Sequence, residues 1–344
     1  MKKICFFTTR TDFARQVLND YYERIFPQNT KLFLFCVKDV ENKIKPKRTE
    51  MIEVSASKII IPFKLRKFCK DNKIDILVNL SGRAGVSFAL LIASLFTKIK
   101  RIFYFLGNPD VNIKNSSFLI SQFFFNRILT GSIDVSKRLK NYLFLSRRKI
   151  FYVPLPVNVN QFKLKNKKII RRKLGIGQKE NVIIYVGRID PSKGSDFLLE
   201  IIKKNLDKKF ILLGNLMDEN YKKQKLKNVI IKKVNHDEIV DYYNVADLCL
   251  FLSKKDGYSY TPRESLASGT PAIISALPSF EPIKTKAAMK VPFNIDTIQK
   301  QIDKFFSLNE KEREKLAIEG RKFVINDSSE EKMKKITVDK LLNF

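Results

Sequence analysis

The segment from Asp247 to Ser275 constrains the fold more than any other part of the sequence. Its residue pattern predicts four pieces in order: a buried strand, Asp247 to Leu252; a polar loop, Ser253 to Tyr260; a short helix that Gly269 ends; and a further strand, Pro271 to Ile274. Such alternation is typical of an α/β sheet. A loop between a strand and the start of a helix is also a favourable place for an anion, because free backbone N–H groups gather there.

The predicted helix start carries two carboxylates in its neighbourhood. Thr261 as N-cap, Pro262 at the first helical position and Glu264 at the third give the pattern of a helix start. Asp256 lies eight positions before Glu264. Two carboxylates would repel a phosphate but suit the hydroxyls of a sugar nucleotide. The alternative is that Glu264 closes a capping box and that Asp256 is a solvated loop residue.

A second stretch, Asn181 to Asp196, places two cations after another predicted strand. Arg188 follows Gly187 directly, and Lys193 comes before the next helix. The carboxyl ends of strands are where open α/β sheets bind ligands, and two bases there suit a diphosphate leaving group. The spacing does not fit a Walker P-loop. The alternative is two solvated bases in a very basic protein.

Taken together, these motifs resemble glycosyltransferase family 4. The resemblance rests on Gly187-Arg188 with Lys193-Gly194, on Asp256-x7-Glu264, and on Gly269-Thr270-Pro271; it is specific over about Phe151 to Ser275. The family implies the GT-B fold, in which two Rossmann-like, doubly wound domains face each other across a cleft. It also implies nucleotide-sugar-dependent transfer with retention.

The resemblance also assigns expected roles to residues of the donor site. Glu264 would bind the ribose hydroxyls and Asp256 the hydroxyls of the transferred sugar. The remaining expected donor-site residues are Arg188 and Lys193 on the diphosphate, with Gly187, Gly257, Tyr260 and Thr261 around it. Arg188, Lys193 and Asp256 form the expected catalytic set.

Two departures from the family pattern bear on activity. Asp256 stands where the family usually has Glu, which shortens the reach by one methylene. Relatives often place a His near the position of Asn108, but the only His here is His236. Either the Asn108 side chain could supply a hydrogen bond in its place, or a backbone carbonyl of this loop could suffice. His236 is expected at a helix start rather than in catalysis, and the first loop, Thr8 to Phe13, lacks the family's usual glycines.

The GT-B expectation sets the domain boundaries. Residues 1–156 are the predicted acceptor domain, residues 157–326 the nucleotide-sugar domain, and residues 327–344 a helix that crosses back to the first domain. Within the first domain, Ser116 to Leu129 predicts a Phe-rich helix, either a core helix or one lying in a membrane interface. Lys149 to Pro154 is expected to lead into the linker.

Composition bounds the partners and the compartment. The net charge of +31 favours a polyanionic partner, and the resemblance favours an acidic membrane surface over nucleic acid. The four cysteines are scattered and without metal-ligand spacing, which predicts reduced core thiols and no structural zinc. Met1 leads directly into a strand, and no apolar helix is long enough to span a bilayer, so a cytoplasmic protein on the inner face of the membrane is expected.

The sequence therefore predicts a retaining, metal-independent hexosyltransferase that moves a hexose to a glycan or a lipid-linked acceptor, in polysaccharide or glycolipid synthesis. No cofactor is expected, because the nucleotide sugar is a substrate. One alternative is a GT-B pseudo-enzyme that serves as a basic scaffold on membrane or nucleic acid. A nucleic-acid-binding protein, inferred from charge alone, is the other.

Overall fold

The computed structural model describes residues 1–8, 22–37, 47–55, 57, 59–80, 84–105, 120, 122–142, 148–224 and 226–343. Over these residues the contacts divide the chain into two units. One comprises Met1–Pro156 with Glu330–Phe344, and the other comprises Val157–Ser329. The sequence placed the corresponding boundaries after residues 156 and 326.

The first unit is built on a parallel sheet of seven strands: β1 (Lys2–Thr8), β2 (Thr30–Val37), β3 (Thr49–Val54), β4 (Ile76–Asn79), β5 (Lys100–Phe105), β6 (Arg127–Thr130) and β7 (Ile150–Tyr152). The helices described in this unit are α1 (Glu23–Ile25), α2 (Ile61–Asp71), α3 (Ala84–Ser94), α4 (Ile133–Tyr142) and α12 (Glu330–Leu342). The strand order is β3-β2-β1-β4-β5-β6-β7. The order reverses between β1 and β4, as in a doubly wound sheet.

The second unit has a parallel sheet of six strands: β8 (Val182–Val186), β9 (Lys209–Leu213), β10 (Val229–Lys232), β11 (Leu248–Phe251), β12 (Ala272–Ser275) and β13 (Ala288–Val291). Its helices are α5 (Lys167–Lys173), α6 (Ser195–Lys204), α7 (Glu219–Lys222), α8 (Ile239–Val245), α9 (Thr261–Ala267), α10 (Ile295–Ser307) and α11 (Glu310–Ser328). The order is β10-β9-β8-β11-β12-β13, which reverses between β8 and β11.

Strand β8 shows why these strands appear in the sequence as unbroken apolar runs. Ile183 and Tyr185 pack into the core on one face of the sheet, whereas Val182, Ile184 and Val186 pack into the core on the other. Helices cover both faces of a parallel sheet, so both sets of alternating side chains must be apolar. The two parallel sheets confirm the predicted α/β, doubly wound class.

The terminal helix α12 belongs to the first unit. Its residues Met333 and Leu341 are buried, and Arg127 donates to the carbonyls of Asp339 and Lys340 at 3.1 and 2.8 Å. These bonds satisfy acceptors that the last turn of a helix would otherwise leave open. At its other end, Arg24 pairs with Glu330 at 3.1 Å.

One local prediction for the first unit was wrong. The Phe-rich segment was predicted as one helix to Leu129, but Arg127–Thr130 is the buried strand β6, with Ile128 and Leu129 fully covered. Residues 106–119, which include Asn108, and residue 121 lie outside the described residues, and so do residues 9–13 of the first loop. The segment before the linker forms the edge strand β7, paired in parallel with β6. The error at Leu129 arises because short buried runs look alike whether they form helix or strand.

Among the residues that the structure describes, no helix has both the length and the apolar character that crossing a membrane would require.

Candidate active site

The two motifs found in the sequence follow the two strands on either side of the order reversal in the second sheet. Gly187 and Arg188 come directly after β8, and the loop with Asp256 comes after β11. Strands β8 and β11 are paired in parallel, so both loops leave the same edge of the sheet. This reversal point, at the carboxyl ends of the strands, is where doubly wound sheets form a crevice for a ligand.

The loop after β8 is held by local hydrogen bonds. The Asp190 side chain accepts from the Ser192 amide at 2.9 Å and starts a 3-10 turn over Pro191–Lys193. The Tyr185 hydroxyl donates to the Arg188 carbonyl at 2.7 Å. Burial raises the pKa of Tyr185, so this hydroxyl remains a donor. These contacts fix the loop backbone, while the Arg188 side chain stays 55% exposed and lies 3.4 Å from Asp190.

Lys193 and Asp256, one from each loop, form an ion pair. Lys193 Nζ and Asp256 Oδ2 are 2.7 Å apart, and the side chains are only 24% and 9% exposed. The backbones of the two loops are joined as well, because the Lys254 amide donates to the Ser192 carbonyl at 3.1 Å. Asp256 is therefore not the solvated loop residue that the alternative interpretation required.

The start of helix α9 differs from the prediction. Thr261 is its first residue rather than its N-cap; Tyr260 is the N-cap and makes no side-chain capping bond. The Thr261 hydroxyl donates instead to the carbonyl of Val186, the last residue of β8, at 3.2 Å. The Thr261 side chain thus connects α9 to the strand that carries Gly187.

Glu264 is not part of a capping box. Its side chain is 5% exposed, and its two carboxylate oxygens have partners from outside the helix start. One carboxylate oxygen lies 3.2 Å from Nε2 of His236, and the other accepts from the Tyr243 hydroxyl at 3.5 Å. Burial raises the pKa of Tyr243, and the Glu264 charge raises it further. A buried carboxylate held by two neighbours is suited to accepting hydrogen bonds in a fixed direction.

His236 is a site residue that sequence reasoning assigned only to a helix start. It does lie in the turn before α8, but its ring also packs edge-on against Phe162 at 5.4 Å and contacts Glu264. The separation of 28 residues between the two partners explains why no local pattern revealed this contact.

Arg263 is a second residue that sequence reasoning missed. It is 1% exposed, lies 4.8 Å from the centre of the Tyr258 ring, and is 3.4 Å from Asp327. Tyr258 in turn packs edge-on against Tyr260 at 5.5 Å. Arg263 therefore supports the aromatic part of the loop that contains Asp256 and Gly257.

The structure places most of the predicted residues along one edge of the second sheet. They are Gly187, Arg188, Lys193, Asp256, Gly257, Tyr260, Thr261 and Glu264. It brings Lys193 to Asp256, and Thr261 to the end of β8, in direct contact. Asn108 lies outside the described residues. Within the described ranges, no group of three or more His, Cys, Asp or Glu is arranged to hold a metal ion.

Comparison with known proteins shows which family this part of the chain resembles. Residues 166–323 match the family model of the Glycosyl transferases group 1. This range contains all the predicted site residues except Asn108. The part of the second unit that carries the predicted site is therefore similar to a group 1 glycosyltransferase domain, which agrees with the predicted enzyme class.

Curated relatives match part of the chain. An uncharacterized glycosyltransferase of Methanocaldococcus jannaschii is 25% identical over 150 residues, which is 40% of this chain and 38% of the relative. A D-inositol 3-phosphate glycosyltransferase of Geodermatophilus obscurus is 22% identical over 172 residues, 44% of this chain and 38% of the relative. The matches thus span well under half the length of these relatives.

Solved structures match the whole chain. A glycosyltransferase from Rickettsia africae superposes with a TM-score of 0.81 at 19% identity, covering 100% of this chain and 99% of that one. Anabaena Alr3699/HepE in complex with UDP gives a TM-score of 0.80 at 13% identity, with 100% of both chains covered. At this identity the likeness shows the fold, which is that of the GT-B glycosyltransferases.

Proposed function

We propose that this chain is a retaining hexosyltransferase of family 4, which takes its sugar from a nucleotide-diphosphate donor. The observation that carries the proposal is the Lys193–Asp256 pair, together with the buried Glu264, after the two strands at the order reversal of the second sheet. The structure of Anabaena HepE with UDP-glucose supports a nucleotide-sugar donor for this fold. The matched relatives are named as glycosyltransferases, so the scaffold and nucleic-acid alternatives are not favoured.

Each side chain has a chemical part in the proposed reaction. Glu264 accepts hydrogen bonds from the ribose hydroxyls, and Asp256 accepts them from the hydroxyls of the transferred sugar. Lys193, with the exposed Arg188, stabilises the negative charge that builds on the diphosphate as the bond to the sugar breaks. The acceptor hydroxyl attacks from the face that the diphosphate leaves, which retains the configuration without a nucleophilic carboxylate.

The proposal extends to metal, acceptor and location. Arg188 and Lys193 take the part that a divalent cation plays in other transferases, so we expect no metal requirement. The acceptor is a glycan or a lipid-linked sugar, in polysaccharide or glycolipid synthesis. The net charge of +31 supports a location at the acidic inner face of the cell membrane.

A thermal-shift screen tests the donor site. The purified chain is melted with UDP, GDP, ADP and their common sugar conjugates, in EDTA and in magnesium. One nucleotide series should raise the melting temperature equally in both buffers. A ligand at about 100 times its Kd contributes about 2.7 kcal/mol, which is several degrees for units of this size.

Matched variants locate the effect. Arg188→Ala and Glu264→Gln should lose the shift, while Arg172→Ala on the exposed side of α5 and Glu200→Gln on α6 should keep it. Absence of a shift with every nucleotide at millimolar concentration would contradict the proposed donor site. A shift that needs magnesium would contradict metal independence alone.

A further inference from the structure

The end of helix α3 presents apolar side chains to solvent. Ile92 and Leu95 are each 41% exposed, and Phe96 is 94% exposed. Single exposed apolar residues are ordinary, but three at one helix end form a continuous apolar tip. Arg66 of α2 donates to the Ile92 carbonyl at 3.2 Å, so a cation also lies beside this tip.

The backbone holds Phe96 outward in an unfavourable conformation. Its φ is +58°, in the left-handed region that side chains other than Gly rarely occupy. The next turn is tied down, because the Thr97 hydroxyl donates to the Ser94 carbonyl at 2.7 Å and accepts from the Ile99 amide at 3.3 Å. An aromatic ring kept exposed at the cost of backbone strain points to a use for it.

A basic concavity adjoins the apolar tip. It has a volume of about 660 Å³ and lies where β1, β4 and β5 begin. Its charged lining consists of four lysines and one aspartate: Lys2, Lys73, Lys98, Lys100 and Asp75. All four lysines are exposed. Lys98 and Lys100 follow Phe96 by two and four residues, so the apolar tip and the basic lining are parts of one surface.

From this arrangement we infer that this surface docks on an anionic lipid bilayer. Phe96 is inserted among the acyl chains, and the lysines of the concavity contact the headgroups. The whole surface, which comprises the apolar tip and the basic concavity, is named here the α3 tip. An apolar residue flanked by lysines matches the layering of a membrane interface, in which hydrocarbon lies beneath negative charge. A single exposed ring provides no stacking platform for a nucleic acid. The inference rests on the membrane part of the proposed function and names the surface responsible.

The chain contains no Trp, which makes a direct experiment available. Phe96→Trp introduces one fluorophore at the α3 tip. Leu206→Trp is the matched control, because Leu206 is 71% exposed but lies in the second unit. Each variant of the full chain is titrated with phosphatidylcholine vesicles, with and without phosphatidylglycerol. Only Phe96→Trp with the anionic vesicles should shift its emission to the blue and be quenched by brominated acyl chains.

The two parts of the surface are then tested separately by vesicle sedimentation. Phe96→Ser should weaken binding to anionic vesicles at least about tenfold, because the buried ring is lost. Lys2→Gln combined with Lys98→Gln should weaken it by about twenty-five-fold, at about fivefold for each lysine. The control pair Lys311→Gln with Lys315→Gln, on exposed positions of α11, should bind as the parent does.

Several outcomes would overturn the inference. The emission of Phe96→Trp could stay unshifted while the protein binds vesicles, or Leu206→Trp could shift equally. Duplex DNA could shift Phe96→Trp in the absence of lipid, which would assign the surface to nucleic acid. A concentration-dependent shift without vesicles would assign it to a second copy of the chain.

The donor assay separates this inference from the proposed function. All α3-tip variants should keep the nucleotide-induced thermal shift, because that site lies in the second unit. Absence of vesicle binding by the parent chain, with its nucleotide shift intact, would overturn the membrane surface alone. An absent nucleotide shift with intact, Phe96-dependent vesicle binding would overturn the donor site alone.

Discussion

Removal of the Asp256 carboxylate should separate nucleotide binding from sugar transfer. In the unliganded chain Asp256 pairs with Lys193 at 2.7 Å. A nucleoside diphosphate must therefore compete with Asp256 for the Lys193 ammonium. We expect Asp256→Ala to bind the nucleoside diphosphate more tightly than the parent does, while sugar transfer is lost because the sugar hydroxyls no longer have their acceptor.

The expected magnitude follows from the burial of the pair. Exposed pairs contribute roughly 0.2–1 kcal/mol, and breaking a fully buried pair costs roughly 3–5 kcal/mol. Lys193 is 24% exposed and Asp256 is 9% exposed, so the energy of this pair lies between the two limits. Solvent screening at Lys193 brings that energy closer to the value for exposed pairs. A competition of about 1–2 kcal/mol corresponds to a Kd that is about 5- to 30-fold lower in Asp256→Ala.

Isothermal titration with the nucleoside diphosphate identified in the thermal screen measures this effect. Glu180→Ala is the matched control. Glu180 also pairs with a lysine, Lys209 at 2.9 Å, but this pair lies where strands β8 and β9 begin, away from the carboxyl ends that carry the site. Its Kd should equal that of the parent. The reasoning is refuted if Asp256→Ala binds the diphosphate more weakly, since Asp256 would then support the phosphate site rather than compete for it.

Three further predictions concern the stability of the fold and the burial of its thiols. Gly194→Ala should lower the free energy of unfolding by about 3 kcal/mol or more, because φ is +77° and the added Cβ would lie 2.0 Å from the Leu252 carbonyl oxygen. The control Gly175→Ala, at φ +67° with open space around it, should lower it by only about 1 kcal/mol. Chemical denaturation measures both losses, and equal losses would contradict the role of the Leu252 contact. Burial raises the pKa of the Cys69 and Cys249 thiols from 9.0 to about 12, so their protonated forms are favoured in the folded chain and the free energy of unfolding should fall as the pH rises from about 9 towards 12. At pH 8 the four buried thiols should react with a disulfide reagent only after denaturation, and rapid labelling of the native chain would contradict their burial.

Patterns that act over one strand or one turn could be predicted from the sequence. The continuous apolar run of β8 and the loop residues after it were sufficient to predict this strand and where it ends. A strand covered by helices on both faces has apolar residues at every position. The edge strand β13 was not predicted, since only Ala288 and Val291 of its residues are buried. Strand β6 was taken for the end of a helix because a short apolar run has no period of its own.

In the candidate site, too, local features could be predicted from the sequence and tertiary contacts could not. Glycines, bases and carboxylates at loop positions could be identified, but their pairing could not. Thr261 and Glu264 match a capping box in sequence, yet the Thr261 hydroxyl contacts Val186, 75 residues away, and Glu264 contacts His236. A local motif predicts a local bond only when no tertiary partner offers a better one.

The sequence by itself determined the alternation of strands and helices and the residue types that stand after β8 and β11. These depend on burial and on backbone preference, which act between near neighbours in the chain. Tertiary structure alone decided that Lys193 pairs with Asp256, 63 residues away, and that His236 contacts Glu264. It also decided that Phe96 is exposed to solvent next to the basic concavity. The physical reason is that parallel pairing brings loops distant in sequence to one edge of a sheet, and the strand order that does so is set by packing of the whole unit.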